Sequence, residues 1–600
     1  MKKLSLLLLV MLMSVTAALA DQYCFFGYGT NTRVGVLTDN AKAKCAIYIP
    51  ADVAARYKGC YINKVRVGLI TKATSLKVFV TKDLNAAAYD VSGSTTTAFA
   101  GTTDVQTTAN YEIDGEGFYV GYEVESAAPS AAVTNVYNEN GCWADLGDGW
   151  KNYAADPAVK ANALSIDARI SGAKVPVDAN LILANGSVAA EKAPFAISAT
   201  VKNQGYSKIT KIGLAYSIDG ADEKTVEISK LNILAGKDAV CSYTVPENEL
   251  ALGVHDLKMR IVTVNGAEDE VADNNTGENV LNVLTEVPGV RLFVEEQTGI
   301  NCGFCPRGIV GFKYMAENYP SRFVGVAVHC YDTDGPVAPS DYATFIRNLC
   351  GSQGYPGCTV MRQAPTQPSA SNLETILKNL DGKVPEMKIE IDAKLSSDNK
   401  TVNATAIVTP ITRIQGSRYK LGFILTEDDV AGYGQANNFS TGSYGECGGW
   451  ENKGARVYEP LQHVARATYG YDGIEGSIPA DAAINEVINY PVEIEIPSTV
   501  KNADKLNAIV VVVDAATGNV VNAAEARVGE NSVTSITSAD ADTVNPAVRI
   551  QNGNLVVEGF DGTVKVYTLD GTQVAPAGLA HGIYVVKGEG AGQFVKRIAY

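Results

Sequence analysis

The sequence predicts a multidomain, mainly β protein, with β-sandwich modules placed on either side of one small α/β domain. Three observations carry this. Short apolar runs broken by Gly, Asn and Asp turns recur along most of the 600 residues, which is a strand pattern more than a helical one. The length corresponds to about four domains at ~100 to 200 residues each. Within residues 288–382 an apolar strand, an amphipathic helix and a second apolar strand follow one another, which is the order of a βαβ unit.

Residues 1–20, MKKLSLLLLVMLMSVTAALA, combine Lys2 and Lys3, an apolar run and the small-residue ending Ala18-Leu19-Ala20. That is the layout of a cleaved secretory signal, so the mature chain is expected to start at Asp21. No other segment approaches the roughly 20 apolar residues of a membrane span, so an exported soluble or surface-attached protein is expected. The formal net charge is −16, and −18 once Lys2 and Lys3 are removed, which disfavours nucleic acid as a partner. Eleven cysteines in an exported chain face an oxidising compartment, and their odd number leaves at least one thiol unpaired within a single chain. The four histidines, His255, His329, His463 and His581, are too scattered for a multi-histidine metal site, and no cofactor or metal is expected.

Residues 21–172 offer strand after strand, YINKVRVGLI, SLKVFVTKDL and GEGFYVGYEVE among them, and read as a β-sandwich of jelly-roll type. Cys24, Cys45, Cys60 and Cys142 fall here and are expected to be structural staples, with three possible pairings. Residues 173–287 form a second all-β unit. It resembles the Ig-like modules of adhesion-type sandwiches, whose end pattern appears as Glu270 to Thr276, and such modules serve as spacers or binding platforms. Cys241 is expected to be a lone buried thiol.

In residues 288–382 RLFVEEQ begins the first strand, GIVGFKYMAENY is helical, and RFVGVAVHCYD is the second strand. Ile309, Phe312, Ala316 and Tyr319 recur at helical spacing, with Met315 beside them, giving one buried face. A helix near Ser340 to Leu349, a Tyr-Pro-Gly turn, the strand CTVM and the helix LETILKNL complete the unit. Residues 383–528 return to strands, interrupted at 431–478 by a Gly-, Asn- and Tyr-rich stretch without a clear period. It is read as a long loop insertion, of the kind that is more often functional than not. Residues 529–545 are a polar linker, and 546–600 a compact run of short strands.

The stretch TGINCGFCPRG from Thr298 to Gly308 leaves three readings open: a working thiol pair, a metal clip, or an inherited staple. A thiolate is the nucleophile in disulfide exchange, and a helix N-terminus lowers a thiol pKa from about 8.5 by presenting unpaired NH groups. Pro306 suits the helix's first turn, where a missing NH costs little. A single CxxC without a second matched pair is weak evidence for zinc, even with His329 or Cys330 as added ligands. Cys350 and Cys358 flank the loop GSQGYPG and are candidates for a disulfide, worth about 2 to 3 kcal/mol on the chain-entropy account. Cys447 either pairs with Cys330 or remains free.

The middle of the chain, about Val290 to Val528, resembles the Omp28-related outer membrane proteins, exported thioredoxin-like proteins of the Bacteroidetes. EEQTGINCGFCPRG, the strand ending Ala327-Val328-His329, Tyr355-Pro356-Gly357 before Met361-Arg362, and His463-Val464-Ala465-Arg466 carry the resemblance. It implies a thioredoxin-like α/β domain followed by a β-sandwich. On it, Cys302 attacks, Cys305 resolves, Glu296 is the acid beneath the pair that accepts the proton of Cys305, and Pro356 is the proline facing the cysteines. The tryptophan usual before the first cysteine is Asn301 here. His329, at the carboxyl end of its strand, is a further candidate, either polarising the thiolate or packed in the sheet rim. The last 55 residues resemble type IX secretion sorting domains, through Val564 to Gly571, Gly582 to Val586 and the basic Lys596-Arg597. Two functions follow: a surface or outer-membrane-associated binding or adhesion protein with a protein or surface ligand, or an extracytoplasmic thiol:disulfide oxidoreductase acting on protein thiols.

Overall fold

A computed structural model describes residues 22–529, apart from 158, 247, 415–417, 441, 443–446 and 516, and residues 547–599, apart from 552, 561, 569–572, 580–582 and 591–592. The expected signal, the linker residues 530–545, and Gly571, His581 and Gly582 of the C-terminal expectations lie outside them. Strands hold 48% of the described residues and helices 10%, so the class is mainly β, with sandwich and Ig-like modules. Two compact units are present, Met1–Ser532 and Val533–Tyr600. Among the described residues no helix is long and apolar enough to cross a membrane.

The first unit opens with two facing antiparallel sheets. Tyr23–Phe26, Ile166–Ser171, Tyr61–Leu69 and Gly101–Glu112 make the four-stranded one. Six strands, with Lys42–Ile49, Phe118–Ser126 and Ala73–Thr81 at the centre, make the other. Alternate side chains such as Ile62, Val65 and Val67 on one sheet meet Ile47, Val78 and Val120 on the other in a single core, the burial that makes two-sided strands stable. Cys24, Cys45, Cys60 and Cys142 are all inside it. Cys60 lies close enough to raise the Cys24 thiol, and Cys45 close enough to raise that of Cys142. A second sandwich follows, with Ala179–Asn185, Phe195–Asn203 and Asp238–Val245 facing a five-stranded sheet centred on Gly253–Val264. Cys241 is buried in its core.

The rest of the first unit is organised by one eight-stranded sheet. Its order is Ala364–Thr366, Gly357–Val360, Leu292–Thr298, Phe323–His329, Val464–Ile474, Tyr419–Glu427, Leu506–Asp514 and Val520–Arg527. This sheet runs across the boundary expected at 382/383. Leu292–Thr298 and Phe323–His329 are parallel, joined by the helix Pro306–Asn318. The Leu506–Asp514 strand is buried at every position because both faces are covered. Ile509, Val511 and Val513 face the core that also holds the helices, and Val510 and Val512 face a three-stranded sheet of Met387–Leu395, Thr401–Pro410 and Ile488–Glu495.

The stretch 431–478, expected as a loop, contains the eleven-residue strand Val464–Ile474 near the middle of that sheet. Its pairing with Tyr419–Glu427 shifts register at Leu421/Phe423 and Leu425/Thr426. Such bulges break the period-two alternation that a sequence pattern detects. The other described residues of the stretch are mostly loop, with short paired segments at Gln435–Ala436 and Arg456–Val457.

In the second unit Ala547–Gln551 and Asn554–Glu558 form a hairpin, and Gly562–Thr568, Ile583–Gly590 and Gln593–Ala599 are consecutive antiparallel strands of a four-stranded sheet. Val566, Leu579 and Tyr584 supply its small core.

Candidate functional site

The Leu292–Thr298 strand is buried along its whole length, with Phe323–His329 parallel on one side and Gly357–Val360 antiparallel on the other. Its carboxyl end feeds a tight turn. Cys302 N donates to Gly299 O at 3.2 Å and Cys305 N to Cys302 O at 3.2 Å, after which Pro306 occupies the first helical turn. Cys302 is 6% exposed and Cys305 fully buried, while Phe304 between them stands 42% exposed.

This placement splits the two thiols. The Cys302 thiol is lowered from its ordinary value, first by the hydrogen bond from the Cys305 thiol and then by the backbone NH groups of Phe304 and Cys305, against burial and the charge of Asp332. Cys305 is pushed far up by burial, reinforced by its bond to Cys302 and by the charges of Cys302 and Glu296. One sulfur is thereby prepared as a nucleophile and the other is held protonated behind it.

Glu296 lies beneath the pair. It is 2% exposed, and burial, then the neighbouring Cys302 charge, raise its carboxyl well above the usual range, partly offset by Thr298. Oε1 has no hydrogen-bond partner, a costly arrangement for a buried carboxyl. Space for it exists because residue 308 is glycine: a Cβ there would sit 1.8 Å from Glu296 Oε1.

Behind the pair is a cavity of about 580 Å³, whose lining extends from Glu296, Thr298 and His329 to Lys313, Glu317 and Glu459. The last three have exposed side chains. His329 is opposite Thr298 in the parallel register. Burial and the Arg466 charge push it down to about 3, so it is neutral at physiological pH and supplies no cation to the thiolate. His463 also lines the cavity, and the Nδ1 atoms of both histidines lack partners.

Tyr355–Pro356 is a cis peptide bond. Because Gly357 is registered opposite Gln297, Pro356 lies at the strand end from which the cysteine turn departs. Cys350 and Cys358 share one apolar core, and Cys350 adds to the burial that raises the Cys358 thiol. Cys330 belongs to that core, with its Sγ 3.8 Å from the Tyr355 hydroxyl. Cys447 is packed elsewhere with Phe439, Trp450 and Val457, so the structure does not bring Cys330 and Cys447 together.

Part of the 431–463 segment covers the cysteine turn, which the sequence did not reveal. Gln435 Nε2 donates to Cys302 O at 2.9 Å and to Gly299 O at 3.2 Å. Ala436 N donates to Ile300 O at 2.7 Å and Asn438 N to Gly303 O at 2.8 Å. Arg456 Nη2 donates to Asn301 Oδ1 at 2.7 Å, and Phe439 meets Phe304 edge-on at 5.9 Å. The only sequence hint was a long aperiodic stretch; no motif identifies Gln435. Among the described residues no group of three or more His, Cys, Asp or Glu side chains is arranged to hold a metal ion.

No family model matches the chain, and no curated protein does. Among solved structures, HBP35 of Porphyromonas gingivalis is similar at 16% identity, over 52% of this chain and 98% of that one, with a TM-score of 0.31. A structural-genomics target from Agrobacterium tumefaciens is 13% identical over 42% of this chain and all of that one, with a TM-score of 0.26. The CARDB domain of a Pyrococcus furiosus protein is 15% identical over 18% of this chain and 90% of that one, at 0.13. None reaches a TM-score of 0.5, and the chemistry of this site rests on its own geometry.

Proposed function

We propose that the chain is an exported protein of the Omp28-related type whose thioredoxin-like portion performs thiol:disulfide exchange through Cys302 and Cys305. The observation that carries this is the opposed perturbation of the two thiols over a buried Glu296 whose Oε1 has no hydrogen-bond partner. A staple needs neither a prepared nucleophile nor a carboxyl held in the core.

The Cys302 thiolate attacks one sulfur of a substrate disulfide, and the substrate's other sulfur leaves as a thiolate and takes a proton from water. With the Cys302 charge gone, the smaller of the two causes that raise Glu296 is removed, so the carboxyl, still raised by burial, releases its proton into the cavity more readily than in the resting protein. Glu296 then accepts the proton of Cys305. Cys305 attacks Cys302 Sγ, closing the protein disulfide, and the second substrate thiolate departs and is protonated by solvent. The substrate disulfide has been reduced to two thiols and the protein dithiol oxidised. Exposed Phe304 offers an apolar contact for a peptide beside the reactive sulfur.

The test is turnover of insulin reduction with dithiothreitol by the full chain and by Cys302→Ser. Activity in the parent that the variant lacks supports the reading, and equal rates dismiss it. A surface-binding role for the β-modules is compatible with this chemistry. It is favoured by a second cavity, which lies between the first two sandwiches.

A further inference from the structure

The joint between the two N-terminal sandwiches is built, not incidental. Lys202 of the second sandwich is almost wholly buried, and its Nζ donates to Gly27 O at 3.1 Å, to Gly29 O at 2.7 Å and to Asp167 Oδ1 at 2.6 Å in the first. Asn31 N donates to Asp238 Oδ1 at 2.7 Å. The turn at Gly236 presses on Phe25, so closely that a Cβ at 236 would lie 2.6 Å from the Phe25 side chain.

A cavity of about 520 Å³ opens at this joint. Its charged lining is Lys64, Arg66 and Arg169 with Asp104 from the first sandwich, and Lys208 and Lys237 from the second. Five cations against one carboxylate make a local excess of positive charge in a chain whose net charge is −16. Gathering like charges costs free energy unless something offsets it. The arginines are fixed: Arg66 lies 3.9 Å over the Phe25 ring and Arg169 4.0 Å over Tyr23. Arg66 holds Asp104 through Nε at 2.8 Å and Nη2 at 3.4 Å, and its Nη1 has no hydrogen-bond partner. Lys208 and Lys237 are exposed. Tyr206 lines the cavity too, and Leu234 adds a side chain that is 53% exposed.

We propose that this cavity binds a saccharide carrying sulfate or phosphate esters. Arginine and lysine donors match tetrahedral oxyanions. The volume is of the size that holds an organic ligand, and the apolar surfaces of Tyr206 and Leu234 beside the cations suit a sugar ring.

The test is calorimetric titration of the full chain at about 50 mM salt, where exposed charges are weakly screened. The probes are a sulfated disaccharide, glucose 6-phosphate, the same disaccharide without sulfate, and inorganic sulfate and phosphate. At least one ester is expected to bind saturably, at least tenfold tighter than the neutral sugar and the inorganic anions, and whichever ester binds better names the source. Raising the salt to about 300 mM is expected to weaken binding. The Lys64→Gln/Lys208→Gln/Lys237→Gln variant changes only side chains that reach solvent and is expected to bind at least tenfold more weakly. The proposal is overturned if no ester binds, if the neutral sugar or the inorganic anions bind as tightly, or if affinity ignores both salt and the lysines.

Discussion

Burial of Glu296 has a consequence for stability that can be measured apart from catalysis. Take the Cys302→Ser background, which removes the thiolate charge and leaves burial, the larger cause, holding the carboxyl protonated; then add Glu296→Gln, which cannot ionise. A carboxyl whose pKa is raised in the folded state favours folding fully only below its unfolded value of about 4.3. The benefit is lost as pH rises toward the folded value. In that window unfolding releases one proton, so the Glu296 protein should lose about 1.4 kcal/mol of stability per pH unit relative to the Gln variant. Between pH 5 and 6 this slope is well above the error of a urea titration. Because the chain has several cores, the readout should be local: pulse labelling of Cys305, which is fully buried beside Glu296, as a function of urea. A stability difference between the two proteins that stays constant from pH 5 to 7 would refute the reasoning, since it would mean that Glu296 ionises in the fold as it does in water.

Other consequences concern the same few atoms. Replacing Cys305 with Ala removes the first cause of the depressed Cys302 pKa; at about 1.5 to 3 kcal/mol for a hydrogen bond to a charged group, the midpoint of Cys302 alkylation against pH should rise by about one unit or more, while Cys305→Ser restores part of it. Gly308→Ala drives a methyl into the Glu296 carboxyl and should cost about 1 to 3 kcal/mol by overpacking and slow the second step of exchange, as seen by a longer-lived mixed disulfide. Gln435→Ala removes three donated bonds to backbone carbonyls and should speed Cys302 alkylation at fixed pH several-fold by loosening the cover, with a destabilisation of about 1 to 3 kcal/mol in thermal unfolding.

How much of this was legible in the sequence follows from the kind of signal each element carries. The parallel strands Leu292–Thr298 and Phe323–His329 are buried throughout; a continuous apolar run announces that in the second, whereas the first buries Glu295, Glu296, Gln297 and Thr298 with its apolar start. The cysteine turn shows in its spacing, whereas Glu296 was placed by the resemblance to thioredoxin-like proteins. The helix was read as burying Ile309, Phe312, Ala316 and Tyr319 with Met315 beside them; Phe312 and Met315 are buried, the other three are partly buried against apolar cores, and Gly308 and Gly311, which that pattern left out, are buried as well. Two glycines do that work by close approach, Gly308 to Glu296 and Gly311 to the Pro368 carbonyl, and a hydrophobic pattern gives glycine no weight. Val464–Ile474 was hidden because bulges break its alternation and its outer half is only partly buried. Gln435 reaches the site through tertiary contacts from over 130 residues away, and nothing local marks it; His463, which also lines the cavity, stood in the sequence only as part of the stretch His463-Val464-Ala465-Arg466 that carries the family resemblance.

The central claim is that Cys302 is the attacking sulfur. The most direct measurement is mass spectrometry of the reduced Cys305→Ser chain after exposure to a disulfide-bonded peptide, with Cys302→Ser alongside. A peptide adduct on Cys302 in the first protein, with none at either active-site position in the second, is the predicted result. No adduct on Cys302, or one formed instead on Cys330 or Cys447, would contradict the account.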